Sequence, residues 1–276
     1  MTKRSRYPRG GAGTWLANGL TAVILLFLFS PVLIVVPFSL TPTDYLSLPQ
    51  GSLSTKWYAH LFSSPEWQSS IWQSIYIAFA CMSLSVLLGT AAAVGLWRIS
   101  SRLSEFVRNF CLMPLLVPPI VSGMAFFYAF AKLRLLDTPV ALILAHTILA
   151  VPYVVLTVSS SLANFDVRLE QAARNLGASI GQSLRLVILP SILPGITAGA
   201  IFAFIMSWDE VVVTLFITSF NVFTLPRRLW DGIRFETDPT TAACATSLIA
   251  LTLLGVAIYL IFIWSIERRA KSRPAT

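Results

Sequence analysis

The chain has 276 residues, of which 56% are hydrophobic and 12% are charged. So few polar side chains cannot cover the surface of a water-soluble domain, so this composition excludes an ordinary soluble protein and indicates a membrane protein. The formal net charge of +8 comes with basic residues that flank the apolar stretches, and it therefore does not indicate nucleic-acid binding.

Six long uncharged stretches each exceed the roughly 20 residues that a helix needs to cross a bilayer. They predict an all-α, polytopic protein with six transmembrane helices in one membrane domain, residues 14–266, between basic tails at 1–13 and 267–276. Prolines within the stretches, such as Pro118 and Pro194, predict kinked or broken helices. The predicted spans are 15–38, 71–97, 109–131, 139–161, 192–218 and 243–265.

The distribution of lysine and arginine predicts the orientation of the spans. With the N-terminus inside, the cytoplasmic segments hold 14 of the 20 basic residues. The positive-inside rule then places both termini and the loop at residues 166–190 in the cytoplasm. The first span is too long for the core of a signal peptide and lacks a small-residue cleavage site, so we expect it to be retained.

The loop at 166–190 is a polar segment between two apolar spans, and its sequence predicts two short helices. Asp166 is a suitable N-cap for the first helix, and Gly177 stands where a left-handed residue ends it. Ser179 and Gln182 have the spacing of a capping box that starts the second helix.

We expect that second helix to end before Pro190, because proline cannot continue the hydrogen-bond ladder. Two helices that meet at a glycine expose Ala172 and Ala173, small residues that let another surface approach closely. The loop is therefore either a docking element for a soluble partner or an ordinary amphipathic helix at the membrane surface. These physical features alone leave both interpretations open.

The spacing of residues in this loop matches a known motif. Gln171-Ala172-Ala173, Gly177, Val187 and Leu189-Pro190 resemble the EAA loop of ABC importer permeases, which reads Glu-Ala-Ala, Gly, Ile and Leu-Pro. Gln171 stands at the glutamate position, and Glu170 lies one residue earlier, about 100° around the helix. Further segments resemble the polyamine (spermidine/putrescine) branch of these permeases, namely 55–58, 165–168, 176–179 and 207–213.

This resemblance implies a type I ABC importer permease of a bacterial inner membrane, with 14–266 as the permease domain and 166–190 as its coupling-helix loop. It implies that the loop docks on an ATPase through Glu170, Gln171, Ala172, Ala173, Gly177, Ala178 and Ser179. The implied partners are a second, different permease subunit, two ATP-binding subunits and a periplasmic solute-binding protein. The implied cargo is a small cationic solute of the polyamine type, although similar permeases carry other small solutes.

Signatures of an enzyme or a cofactor site are missing from the sequence. It has no phosphate-binding glycine-rich loop that ends in Lys-Ser/Thr, so the chain is not expected to hydrolyse ATP alone. The resemblance implies that ATP and Mg are bound by the partner ATPase subunits. Three scattered cysteines and two isolated histidines predict neither a disulfide nor a metal site. We expect His146 to be a packed interior residue. The rival hypotheses are a secondary transporter or channel and, more remotely, an intramembrane enzyme.

An acidic pair, Asp209 and Glu210, interrupts a stretch that is otherwise uncharged from residue 186 to 226. Ionised carboxylates at membrane depth are costly unless they face protein or water. Glu210 falls on a stripe of small and polar residues at helical spacing and is expected to be accessible, whereas Asp209 is expected to be shielded or paired. The pair either lines a path for a cationic solute or binds arginine or backbone donors. The candidate pathway residues are Ser207, Trp208, Asp209 and Glu210.

Two outer segments are long enough to form recognition surfaces. Segment 39–70 carries Trp57, Tyr58 and Trp67, and segment 219–242 carries Leu229, Trp230 and Ile233, which could share one face of a short helix. Aromatic residues at a membrane boundary also serve as plain anchors. The resemblance favours contact of these segments with a solute-binding protein.

Overall fold

The computed structural model describes residues 12–99, 101–236 and 238–271, and all regular secondary structure within them is helical. Most of the tails predicted at 1–13 and 267–276 therefore lies outside the described residues. The helices are α1 Ala12–Ser39, α2 Lys56–Ser63, α3 Pro65–Ile99, α4 Arg102–Leu112, α5 Pro119–Leu133, α6 Pro139–Ala163, α7 Val167–Asn175, α8 Ile180–Ser183, α9 Leu189–Ser191, α10 Leu193–Asp209, α11 Val212–Ile217, α12 Leu225–Asp231 and α13 Thr240–Lys271.

Four of the predicted spans are unbroken helices long and apolar enough to cross a membrane. They are Gly13–Ser39, Pro65–Ile99, Pro139–Ala163 and Thr240–Ser265. The helix Pro65–Ile99 is longer than the predicted span 71–97, because its first turns are polar and therefore do not belong to an apolar stretch. Counting each bent helix pair as one span raises the number to six within the described residues.

The third predicted span, 109–131, is a bent pair and not one helix. It contains the end of α4, a 3-10 turn at Met113–Leu116 and α5, and the two halves meet at 104°. Val117 and Pro118 have extended backbones, with ψ of 125° and 138°. Two consecutive prolines follow Val117, and a residue before proline is forced out of the helical region.

The fifth predicted span, 192–218, is broken twice. The helical stretch that contains α8 and α9 meets α10 at 68°, and α10 ends at Asp209. Glu210 then has an extended backbone, with φ −75° and ψ 109°, before α11 begins. The predicted stripe therefore does not continue along one helix beyond Ser207, and Glu210 lies at a break in the span.

The helix after Ser179 also differs from the prediction, because it runs past Pro190 to Ser191. Residues Leu184–Ile188 widen into a π-helix, in which the N–H of Leu189 donates to the carbonyl of Leu184. Pro190 lacks a backbone N–H group, and the wider π-helical turn lies just before it in the chain. A local widening of the helix is a common way to accommodate a proline without ending the helix.

The chain divides into two compact units. The first contains residues up to 64 and from 232 onward, where α1 and α2 each pack on α13. The second contains residues 65–231 and is built on α3, α6 and α10, which pack on one another. The candidate coupling loop and the acidic pair both belong to the second unit.

Small residues bring α10 against α6 in this second unit. Gly199, Ala203 and Ser207 are all buried. A Cβ atom built on Gly199 would lie 2.6 Å from the Oγ1 atom of Thr157 on α6, so only glycine allows this approach. Gly199, Ala203 and Ser207 form the first part of the predicted stripe, which thus packs against another helix.

Candidate functional site: a polar loop and a broken span

The first helix of the loop, α7, has both of the predicted ends. The Asp166 carboxylate accepts a hydrogen bond from the N–H of Arg168 at 3.0 Å. Gly177 has φ +91°, the left-handed conformation that the sequence predicted. The N–H of Gly177 bonds to Arg174 and that of Ala178 to the Ala173 carbonyl, each at 3.0 Å. This pair of bonds forms a Schellman motif, which satisfies the last carbonyls of the helix.

The second helix begins with the predicted capping box. The N–H of Gln182 donates to the Ser179 hydroxyl at 3.3 Å, and the N–H of Ser179 donates to the Gln182 side-chain oxygen at 2.8 Å. The turn between the two helices is therefore bonded on both sides of Gly177. Such a turn holds the two helices in one orientation.

Glu170 and Gln171 point in different directions. Glu170 is only 8% exposed, and its carboxylate accepts a hydrogen bond from the Arg98 guanidinium at 2.9 Å. Gln171 is exposed. Glu170 therefore ties α7 to the end of α3, while Gln171 faces outward. Sequence reasoning misses Arg98 as a partner and counts it only among the basic residues that set the orientation.

The outward face of the loop is a mixture of small and apolar residues. Ala172 and Ser179 are exposed, and Ala173 and Ala178 are half-buried. Leu176, just before the turn, is 90% exposed. This apolar side chain is therefore open to contact with another surface.

The acidic pair shows the opposite pattern of exposure from the one predicted. Asp209 is exposed, whereas Glu210 is half-buried. The Glu210 carboxylate accepts a hydrogen bond from the N–H of Val213 at 2.9 Å, and its carbonyl accepts one from the Thr214 hydroxyl at 2.9 Å. The prediction that Asp209 is shielded is wrong for this chain, because Asp209 is the last residue of α10 and its side chain is exposed. The Glu210 carboxylate caps α11 through one backbone donor, the kind of partner that the second interpretation named, and its side chain stays partly exposed.

The other two candidate pathway residues lie inside or against the helix bundle. Ser207 is buried, and its hydroxyl lies 2.8 Å from the Nδ1 atom of His146. The Trp208 ring stacks on Phe204, with 5.9 Å between ring centroids. His146 is fully buried, which confirms the prediction of a packed interior residue.

Asp137, in the turn between α5 and α6, holds the loop that follows α11. Its carboxylate accepts hydrogen bonds from the N–H groups of Ser219, Phe220, Asn221 and Val222 at 2.8–3.2 Å. Partial desolvation raises the pKa of Asp137, but these four donors outweigh it and lower the pKa to about 2. Sequence reasoning missed this site, because an aspartate before a helix gives no signal of a partner about 80 residues later.

Arg228 fixes α12 to the start of α3. The guanidinium groups of Arg227 and Arg228 both lie near the Phe223 ring, at 4.6 Å and 4.7 Å from its centroid. Arg228 also donates to Glu66 at 3.1 Å and lies over Trp67. Trp67 is buried, so it is a packing residue and not an exposed anchor.

The remaining aromatic candidates of the outer segments have mixed roles. Trp57 donates its ring N–H to the carbonyl of Thr41 at 3.0 Å, and the Tyr58 hydroxyl lies 2.6 Å from that of Ser39. These contacts fold segment 39–70 on itself. In the other segment α12 ends at Asp231, and the π-helical turn Gly232–Glu236 follows. Leu229 and Trp230 therefore do not share a regular α-helix with Ile233, contrary to the prediction.

Comparisons with known proteins identify the family. The family model described as "Binding-protein-dependent transport system inner membrane component" matches residues 85–272. The chain belongs to this family. It is 31% identical over 244 residues to the spermidine/putrescine transport system permease protein PotC of Escherichia coli (strain K12), covering 88% of this chain and 92% of that protein.

Other relatives agree with this assignment. The putrescine transport system permease protein PotI of the same organism is 30% identical over 254 residues, covering 90% of this chain and 89% of that protein. The molybdenum transport system permease protein ModB of Mycobacterium bovis is 32% identical over 215 residues, covering 71% and 81%.

Solved structures show the same fold. A crystal structure of a bacterial ABC transporter involved in the import of the acidic polysaccharide alginate has a TM-score of 0.70 at 14% identity, covering 95% of this chain and 99% of that chain. The predicted all-α permease fold of ABC importers is therefore confirmed, and the chain is an inner-membrane transport component.

Proposed function

We propose that this protein is one of two permease subunits in an ABC importer that brings a polyamine-like cation across the inner membrane. The observation that carries the coupling role is the loop at 166–190, whose two helices are held by a Schellman turn, a capping box and the Arg98–Glu170 ion pair. A loop fixed at three points can transmit the movement of a docked ATPase to the spans as a lever.

The mechanism follows from this lever. ATP, bound with Mg by two partner ATPases, draws those subunits together and displaces the docked loops. The loop moves α3 through Arg98 and α10 through the continuous stretch from Ile180 to Ser191. The two permease halves then rock between outward and inward openings, and a periplasmic solute-binding protein delivers the cargo.

The acidic pair supports a cationic cargo over an anionic one. Asp209 presents an exposed carboxylate and follows, in the chain, Trp208, whose ring stacks on Phe204. A carboxylate in a partly dry path attracts a cation and repels an anion more strongly than one in bulk water, because the local dielectric constant is lower. Two relatives are named for the transport of spermidine and putrescine, which are cations, and these names agree with the negative charge of the acidic pair.

The test is uptake by the complete transporter in proteoliposomes. Radiolabelled spermidine should enter only when ATP is enclosed with the ATPases and a loaded binding protein is outside. A protonophore should leave this uptake unchanged. Uptake that follows an ion gradient without any associated ATPase would establish a secondary transporter instead.

The pathway assignment needs its own variants. Asp209→Asn and Glu210→Gln preserve shape and remove charge, and uptake is to be expressed per assembled complex. We expect Asp209→Asn to lower spermidine uptake by about tenfold, the effect of roughly 1.4 kcal/mol in a barrier. Normal uptake by both variants would remove the acidic pair from the pathway while leaving the coupling role intact.

A further inference from the structure

His146 makes side-chain contacts with two different helices at once. Its Nδ1 atom lies 2.8 Å from the Ser207 hydroxyl on α10, and its Nε2 atom lies 3.4 Å from the Thr214 hydroxyl on α11. The ring sits on α6 and is fully buried. Both of its polar atoms are therefore satisfied by hydroxyl groups from the two pieces of the broken fifth span.

The break lies between these two hydroxyls. Ser207 is in the last turn of α10, and Thr214 is in the first turns of α11, with the extended residue Glu210 between them. A hydrogen-bonded path leads from the ring to Glu210, because the Thr214 hydroxyl also bonds to the Glu210 carbonyl at 2.9 Å. The N–H of Val213 completes the arrangement by donating to the Glu210 carboxylate.

The hydrogens can be assigned in one consistent way. The Thr214 hydroxyl has a single hydrogen, which it donates to the Glu210 carbonyl, so it must accept from Nε2–H of His146. The Nδ1 atom then carries a lone pair and accepts from the Ser207 hydroxyl. A neutral ring with its hydrogen on Nε2 thus satisfies every member, and a non-polar side chain of the same size would leave both hydroxyls without this partner.

We infer that His146 is a positioning residue of the transport pathway. By bridging Ser207 and Thr214, it fixes the backbone at the break in the span, where Glu210 lies. This sets the position of the Glu210 carboxylate and leaves Asp209 exposed at the end of α10. This inference rests on the proposed function, in which the acidic pair attracts the cationic solute. It adds a residue that contacts no solute and acts through Glu210.

The experiment uses the reconstituted transporter with saturating spermidine-loaded binding protein, and it measures spermidine uptake and ATP hydrolysis per assembled complex. His146→Leu should lower the solute moved per ATP by about tenfold, whereas ATP hydrolysis stays within about twofold. His146→Gln places an amide near the Nε2 position and should restore at least about half of the uptake. His146→Asn places its amide near Nδ1 and should restore less, because it cannot reach Thr214. Thr147→Val is the matched control, since this buried hydroxyl on the same helix bonds to its own helix at Ile143.

A double-mutant cycle separates this inference from the proposed function. If His146 acts through Glu210, His146→Leu should cause no further loss in a Glu210→Gln background. Additive losses would overturn the inference, and so would equal uptake by the Gln and Asn variants. If His146→Leu fails to assemble, the comparison of the Gln and Asn variants still decides. A wild-type transporter that moves no spermidine would overturn the proposed function and this inference together.

Discussion

The carboxylate of Glu170 and the guanidinium of Arg98 form an ion pair at 2.9 Å between the loop at 166–190 and the C-terminal end of α3. The Glu170 side chain is almost buried and that of Arg98 is partly exposed, so water screens the pair only in part. The family motif places a glutamate at the next position, which is Gln171 here. The structure thus separates the two side chains, since Glu170 anchors the loop to its own chain and Gln171 is exposed.

Neutralising either member of this pair should loosen the loop. Glu170→Gln keeps the shape and loses the charge, so we expect roughly 1–2 kcal/mol less local stability, less than for a fully buried pair because Arg98 is partly hydrated. Amide hydrogen exchange in residues 166–190 should accelerate, and less ATPase should copurify. Glu105→Gln, at an exposed carboxylate on α4, is the control. Unchanged exchange in Glu170→Gln would show that the ion pair does not hold the loop.

A second prediction concerns Gly177, whose φ of +91° no ordinary side chain adopts easily. A Cβ atom on this glycine would meet nothing within 4 Å, so the cost of Gly177→Ala is conformational, about 1–2 kcal/mol. Uptake and ATPase association should fall while membrane insertion persists. Gly177→Asn should be milder, because asparagine tolerates the left-handed region.

Gly181 is a matched control for this experiment. It lies in the same loop and also has open space around it, but it is a helical residue of α8. Gly181→Ala should therefore leave uptake unchanged or improve loop order slightly. Equal behaviour of the two alanine variants would show that the turn geometry is not needed for coupling.

Gln171 should act at the interface with the ATPase and not within the loop. Its side chain is exposed, so Gln171→Ala should weaken ATPase association while amide exchange in 166–190 stays the same. Gln171→Glu restores the residue of the family motif and should retain association. Pull-down of the ATPase at matched permease amounts measures the difference. Faster amide exchange of residues 166–190 in Gln171→Ala would show instead that Gln171 stabilises the loop itself.

The outer loop at 219–222 should remain ordered over the usual pH range. The pKa of Asp137 is about 2, below its ordinary value of 3.8. A depressed pKa means that the ionised form stabilises the fold, so this contribution is fully present above about pH 4 and is lost as the pH falls toward 2. Amide exchange of residues 219–222, corrected for its intrinsic pH dependence, should show constant protection from pH 8 to pH 5.

Asp137→Asn tests the same site at neutral pH. The variant loses the charge that four backbone donors share, a loss of roughly 1–3 kcal/mol, so protection of 219–222 should fall. Asp44→Asn is the control, because that exposed carboxylate pairs only with the side chain of Lys56 among the contacts described for it. If residues 219–222 stay protected in Asp137→Asn, then packing on α3, and not the Asp137 carboxylate, keeps this loop ordered.

Much of the coupling loop could be predicted from the sequence, because its features depend on residues close together in the chain. The cap at Asp166, the left-handed turn at Gly177 and the capping box at Ser179 each involve contacts within a few residues, and each is present. The apolar stretches likewise predicted the spans, since their lengths are set by the bilayer. Where prolines stand in these stretches, the sequence predicted breaks but not their angles.

The tertiary structure decided which polar residues meet. Arg98 and Glu170 are 72 residues apart, and His146 reaches Ser207 and Thr214 from a different helix, so no local spacing could pair them. The roles of Asp209 and Glu210 depended on the break in the fifth span, because an unbroken helix would have placed Glu210 on the packed stripe. Helical periodicity describes only neighbours three or four residues apart, whereas a buried polar side chain is satisfied by whichever helix packs against it.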